Sequence, residues 1–201
     1  MKKIFLIFFV SSSMWSQNTD FQKLNSEILT VETSLIIPVG SLANKFDYAQ
    51  AYGFWFKLGE EKKMTANIGF TTIFLQKARS VNYKYQDVDY IINSNKFRFD
   101  IGIRIMKIVP FQNKKYYSEF GSTIGFHYLD YDFPSQKKEE NKESKKDSLR
   151  NVTFLFSPEV KLMYKNVGLK FQYRFTPFYF LEGFESNFGS HSVALGIVYK
   201  Q

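Results

Sequence analysis

The sequence has no cysteine, only two histidines and five prolines in 201 residues. The missing thiols exclude disulfides, cysteine nucleophiles and cysteine-borne lipid anchors. With His127 and His191 as the only imidazoles, a histidine-rich metal site is excluded, and no H-E-x-x-H or comparable ligand spacing occurs. The apolar run at residues 4–10 falls far short of the roughly 20 residues that a membrane-crossing helix needs. No other segment resembles such a helix, so any insertion into a bilayer has to use strands. Nor does a nucleic-acid-binding motif accompany the formal net charge of +8, and no nucleic acid partner is expected.

What is abundant is aromatic: 23 Phe and 13 Tyr, and aromatics make up 19% of the chain. These residues recur at every second position. Phe97, Phe99, Ile101, Ile103 and Ile105 alternate with Arg98, Asp100, Gly102 and Arg104. A period of two describes a strand with two unlike faces. Strands are predicted at residues 30–40, 48–58, 64–76, 94–106, 115–131, 151–164, 167–178 and 190–199. Globular strands usually run five or six residues, whereas a tilted membrane-spanning strand needs about ten. From the N-terminus, the connections run intermediate (41–47), short (59–63), long (77–93), short (108–114), long (132–150), short (165–166) and long (179–189). Outer-membrane barrels have short periplasmic turns, longer outside loops and an even strand count. The expected fold is therefore all-β, an eight-stranded antiparallel up-and-down transmembrane β-barrel.

Residues 1–17 read MKKIFLIFFVSSSMWSQ. A charged start, a short apolar core and a serine-rich end have the form of a cleavable export signal. Losing Lys2 and Lys3 with it lowers the net charge from +8 to +6. Residues 18–29 read as a short periplasmic lead-in and residues 30–201 as the barrel domain. Eight strands then place both termini in the periplasm, and the expected location is the bacterial outer membrane.

Alternation alone does not say which face points outward, because a soluble lipocalin-like barrel turns its apolar face inward. The glycines decide. Gly53, Gly69, Gly102, Gly121, Gly125, Gly168 and Gly196 all lie on the polar phase, where they weaken a solvated strand but leave room inside a narrow barrel. The polar phase also carries Glu32, Lys57, Arg98, Asp100, Arg104, Glu119, Glu159, Lys161, Lys170 and Arg174. Lone buried charges are costly, so an internal ion-pair network filling a closed lumen is expected. Basic residues outnumber acidic ones in this set, which leaves room for a narrow anion-leaning path. On the outward phase, Tyr48, Tyr117, Tyr128, Tyr164, Tyr173 and Tyr199 are candidates for headgroup-level aromatics; Trp55 falls on the inward phase.

Catalytic residues, cofactors and metals are not expected. His191 and Ser192 are adjacent on a strand and point to opposite faces, which does not make a nucleophile–base pair. The run at 136–150, QKKEENKESKKDSLR, reads as an exposed polar loop with a possible lipopolysaccharide-contacting or adhesive role. Tyr83, Tyr85 and Tyr90 in the third connection, with Phe184 and Phe188 in the seventh, are candidate loop contacts for a partner, or else parts of a wall extended beyond the membrane.

The first hairpin, LIIPVGSLANKFDYAQAYGFWFKLG, the terminal strand HSVALGIVYK and the export signal ending in Ser16-Gln17 resemble the small eight-stranded outer-membrane barrels of the OmpA/OmpX kind, especially those of Bacteroidetes. The resemblance covers residues 30–201. The chain departs from it in ending Tyr199-Lys200-Gln201 rather than on the aromatic residue that the assembly machinery recognises. The resemblance implies a non-enzymatic monomer with a structural, adhesive or accessory role, in contact with outer-membrane lipid, lipopolysaccharide and the assembly machinery. The competing readings are a soluble lipocalin-like binder of a small apolar ligand, an outer-membrane lipid-modifying enzyme and a weak channel.

Overall fold

A computed structural model describes residues 27–74, 81–85, 88–92, 95–113, 115–132, 148–178, 181, 184 and 188–201. The export signal expected at 1–17, most of the lead-in and most of the polar loop at 136–150 lie outside the described residues. The strands are β1 (Leu29–Pro38), β2 (Ala49–Glu61), β3 (Met64–Phe74), β4 (Val81–Tyr85), β5 (Val88–Ile92), β6 (Asn95–Pro110), β7 (Tyr116–Asp132), β8 (Ser148–Tyr164), β9 (Val167–Phe175) and β10 (His191–Lys200). Eight of them close into a barrel in the order β1-β10-β9-β8-β7-β6-β3-β2, and β4-β5 form a separate two-stranded sheet. Every pairing is antiparallel. The chain therefore runs up and down around the wall, with one hairpin inserted between β3 and β6.

Turn chemistry separates the two ends. Two residues, Lys62 and Lys63, join β2 to β3 with φ of 49° and 68°, the left-handed pair that matches the twist of a two-residue hairpin. Lysine is an unusual choice at such positions, so the sequence pattern alone marks the turn poorly. The β8–β9 turn is equally short, with Lys165 at φ 51°. At the opposite end, a 3-10 helix (Gly40–Asn44) follows β1, and Phe178 and Phe188 of the β9–β10 connection pack against Phe46.

Two strand boundaries differ instructively from the sequence pattern. The alternation of β9 continues to Phe178, but the strand stops at Phe175. Thr176, Pro177 and Phe178 instead turn over the lumen, where Thr153 Oγ1 donates to the carbonyl of Pro177 at 2.9 Å. The β6 strand runs on to Pro110, past its expected end at Met106, because Ile108, Val109 and Pro110 stay in register with Glu119, Ser118 and Tyr117. Pro158 has no N–H to give to β9, and Ser157 Oγ donates to the Tyr173 carbonyl at 2.7 Å, so the acceptor is satisfied where the backbone ladder lapses.

Burial is inverted relative to a soluble protein. Phe54, Phe56, Ile68, Phe70, Ile101, Ile103, Ile105, Phe126, Leu162, Leu169, Phe171, Leu195 and Ile197 are exposed on the outer wall. Glu32, Asp100, Arg104, Glu119, Glu159, Lys161 and Arg174 are buried inside. The lipocalin-like arrangement requires the opposite. On β7 the outward tyrosines Tyr116 and Tyr128 lie 12 steps apart; at about 3.3 Å per residue and a tilt near 40°, they bracket about 30 Å, the thickness of a bilayer core. The two faces, the strand lengths and this height define a membrane-spanning barrel.

Tyr117 corrects the expected outer belt. It is buried on the inward face with Ile108, Met163 and Val198, and its neighbour Tyr116 takes the outer position, its ring tilted against Tyr164 at 4.8 Å between centroids. Parity along β7 separates the two: Tyr116 is in phase with the outward Phe120, Ile124 and Phe126, and Tyr117 with the inward Glu119, Thr123 and His127.

Candidate functional site: a filled lumen and its two ends

Space for the lumen side chains is made by a track of glycines. Gly69 lies opposite Trp55 and Gly102, Gly102 lies opposite Gly125, and Gly125 lies opposite Leu155. Residues directly opposite in adjacent strands share a face, so three consecutive strands present bare backbone to the lumen. The indole of Trp55 lies over this track; a β-carbon at Gly69 would sit 2.7 Å from Trp55 Cδ2. On the indole rests the guanidinium of Arg104, 3.7 Å from the ring centroid, a cation–π contact strengthened by exclusion of water.

Arg104 is the hub of the central cluster. Its Nη1 and Nη2 donate to the two oxygens of Glu32 at 2.6 and 3.0 Å, a bidentate pairing. Its Nε lies 2.6 Å from Glu159 Oε1. Glu32 also receives Lys161 at 2.8 Å and Lys170 at 2.7 Å. Lys161 is 3.7 Å from Glu159 and 4.0 Å from Glu119, and Glu119 is paired with Lys200. Carboxylates and cations from β1, β6, β7, β8, β9 and β10 thereby meet in the middle of the barrel.

A second cluster lies toward the loop end. Asp100 accepts from His127 Nδ1 at 2.5 Å and from Arg174 Nη2 at 2.7 Å. Arg98 Nε and Nη2 approach His127 Nε2 at 3.3 and 3.1 Å. Guanidinium only donates, which makes Nε2 the acceptor and assigns the ring proton to Nδ1. The Asp–His pair thus resembles two members of a hydrolytic triad, but the nitrogen that a nucleophile would need is already occupied by Arg98. His191 faces the outer wall, 2.5 Å from the Tyr173 hydroxyl, while Ser192 is buried inside.

Above this cluster, four phenylalanines close the loop end. Phe46 packs 6.3 Å from Phe178 and 5.9 Å from Phe188, Phe178 lies 5.4 Å from Phe188, and Phe184 lies 4.8 Å from Phe188. Arg98 sits under Phe46 at 4.9 Å and His127 against Phe178 at 5.7 Å. Gly189, at φ 92°, brings the β9–β10 connection against the backbone of Leu42, an approach that a side chain would block. Phe184 and Phe188, candidates for loop contacts with a partner or for an extended wall, are only 9% and 0% exposed. Burying apolar area over the lumen outweighs presenting it to water.

The ten charged residues of the inward phase are thus distributed over these clusters, with Lys57 at the mouth on the terminal side, where it pairs with Glu60 at 2.5 Å. His127, Lys200 and the cap residues Phe46 and Phe178 join them; His127 was legible from parity, but loop residues have no parity to read. Tyr83 stands opposite Tyr90, and Tyr85 opposite Val88, on the β4-β5 hairpin. Two cavities, of about 20 and 10 Å³, flank the central charges. Each has room for roughly one water molecule, far less than the 300–1,000 Å³ of a small-molecule site.

A charge-packed lumen inside an apolar wall defines the class: a transmembrane β-barrel with a filled interior. Solved structures with a similar fold include neisserial surface protein A (TM-score 0.47, 12% identity, covering 86% of this chain and 96% of that one). Others are the N-terminal β-barrel domain of Pseudomonas aeruginosa OprF (0.41, 11%, 86% and 97%) and Ail, the attachment invasion locus protein of Yersinia pestis (0.41, 7%, 87% and 97%). No family model and no curated protein matches the sequence.

Proposed function

We propose that the chain is a non-enzymatic β-barrel of the bacterial outer membrane, with both termini in the periplasm and a structural, adhesive or accessory interaction role. The observation that carries this reading is the pairing of an apolar outer band with a lumen occupied by ion pairs from six strands. A closed barrel is the strand architecture that satisfies every backbone group in lipid, and bacteria use it in their outer membrane. The short β2–β3 and β8–β9 turns lie at the end where β1 begins and β10 finishes, which supports the periplasmic assignment. The engagement of His127 Nε2 by Arg98 argues against general-base chemistry in the lumen. The barrel's partners in this reading are outer-membrane lipid, lipopolysaccharide and the barrel-assembly machinery, and it works as a monomer.

The test is fractionation followed by electrophoresis. The protein is expected in the outer-membrane fraction, migrating faster on a cold SDS gel unboiled than boiled, and adding no conductance to a planar bilayer. Recovery as a soluble periplasmic protein, or stable single-channel steps, overturns the reading.

A further inference from the structure

The mouth at the terminal end holds a carboxyl group that the ion-pair network does not use. Glu27 lies just before β1, and the backbone beside it is fixed. Ile28 N and Leu29 N donate to the Gln201 carbonyl at 2.9 and 3.0 Å, and Lys57 N donates to the Ile28 carbonyl at 2.9 Å. This clasp sets the Glu27 side chain against the 20 Å³ cavity, which it lines together with Lys57, Glu60, Asn67, Glu119 and Lys200. Both carboxyl oxygens of Glu27 are buried there without a hydrogen-bond partner. The charged groups around it pair with one another: Lys200 with Glu119, Lys57 with Glu60, and Arg104 and Lys161 with Glu32. Tyr117 faces it from β7. A carboxylate in such a place costs free energy that a neutral acid does not.

We propose that Glu27 is a proton-binding stopper of this mouth: protonated, it stays seated as part of the cavity wall and closes the mouth; ionised, it leaves for water and opens the cavity to solvent. Burial raises its pKa from 4.5 to about 7, against the pull of Lys200 and Lys57 and with the help of Glu119. The folded barrel therefore holds a proton that the unfolded chain releases at lower pH. The stability contributed by the seated acid is complete below about 4.5 and is lost as pH rises through about 7. The switch falls in the pH range that a cell envelope experiences, and it is independent of any role assigned to the loops.

Carbon-detected NMR of the labelled barrel in detergent micelles tests it. The Glu27 carboxyl resonance is identified by its loss in Glu27→Gln and followed across pH. A midpoint near 7 is expected, with a soluble paramagnetic agent broadening the Thr65 and Asn67 amides at about pH 8 but not at about pH 6. In Glu27→Gln those amides should stay protected at both values. A midpoint below about 5, or protection that does not change with pH in the wild-type barrel, overturns the proposal.

Discussion

Glu32 is 2% exposed and faces three cations, Arg104, Lys161 and Lys170. In a barrel this narrow the pairs cannot be exchanged for water, so the value of each partner depends on what its loss leaves behind. Glu32→Gln leaves three positive groups around a neutral amide, and a broken buried pair costs about 3–5 kcal/mol. Lys170→Met removes one cation but leaves Glu32 with two, and is expected to cost markedly less. Urea unfolding of both variants in lipid vesicles checks the order; equal losses would mean that Glu32 does not hold its three cations together. Strand parity makes these residues legible as lumen-facing. It does not reveal who pairs with whom, because Glu32 and Arg104 stand 72 residues apart and meet only when the wall closes. Gly69 is informative in the same limited way: its place on the polar phase signals crowding, and the crowding group, Trp55, is known only from register.

At the scale of elements, the alternating strands were readable from sequence because one period governs each for ten residues or more. The connections obey no period, and there the reading fails. Phe184 and Phe188 look like exposed aromatics on a polar loop, yet they fold with Phe46 and Phe178 into a lid over Arg98 and His127. The lid joins the first and last connections, and among the described residues its backbone ties at the strand ends include Val39 N to the His191 carbonyl and Thr176 N to the Ser190 carbonyl, at 3.0 and 2.8 Å. Phe188→Ala should therefore act locally. Truncating a buried phenylalanine typically costs about 3–5 kcal/mol, but here much of it falls on a substructure that can open without the wall. Hydrogen exchange is expected to quicken at the Val39 and Thr176 amides while the amides of the β9-β10 ladder stay protected. Uniform loss of protection would show the lid to be part of the barrel's cooperative core.

For the whole molecule, the decisive property is the sign of the environment outside the wall. Ile103 lies midway along β6, 51% exposed, between the outward Ile68 and Ile124 of the neighbouring strands. In a water-soluble barrel an arginine at that position would be nearly neutral and would improve solubility, since exposed positions away from special features tolerate substitution. In a bilayer the same change places a guanidinium at the hydrocarbon midplane and costs about 2–4 kcal/mol. Val109, near the terminal end of the same strand and 37% exposed, provides the internal comparison: there an arginine can reach the headgroups and should cost no more than about 1 kcal/mol. Folding measured in vesicles should therefore show a penalty for Ile103→Arg that falls toward zero for Val109→Arg. Because both substitutions keep the strand, the lumen and the loops intact, the depth dependence isolates the bilayer as its cause. Equal and negligible penalties at the two sites would place water, not lipid, around the barrel.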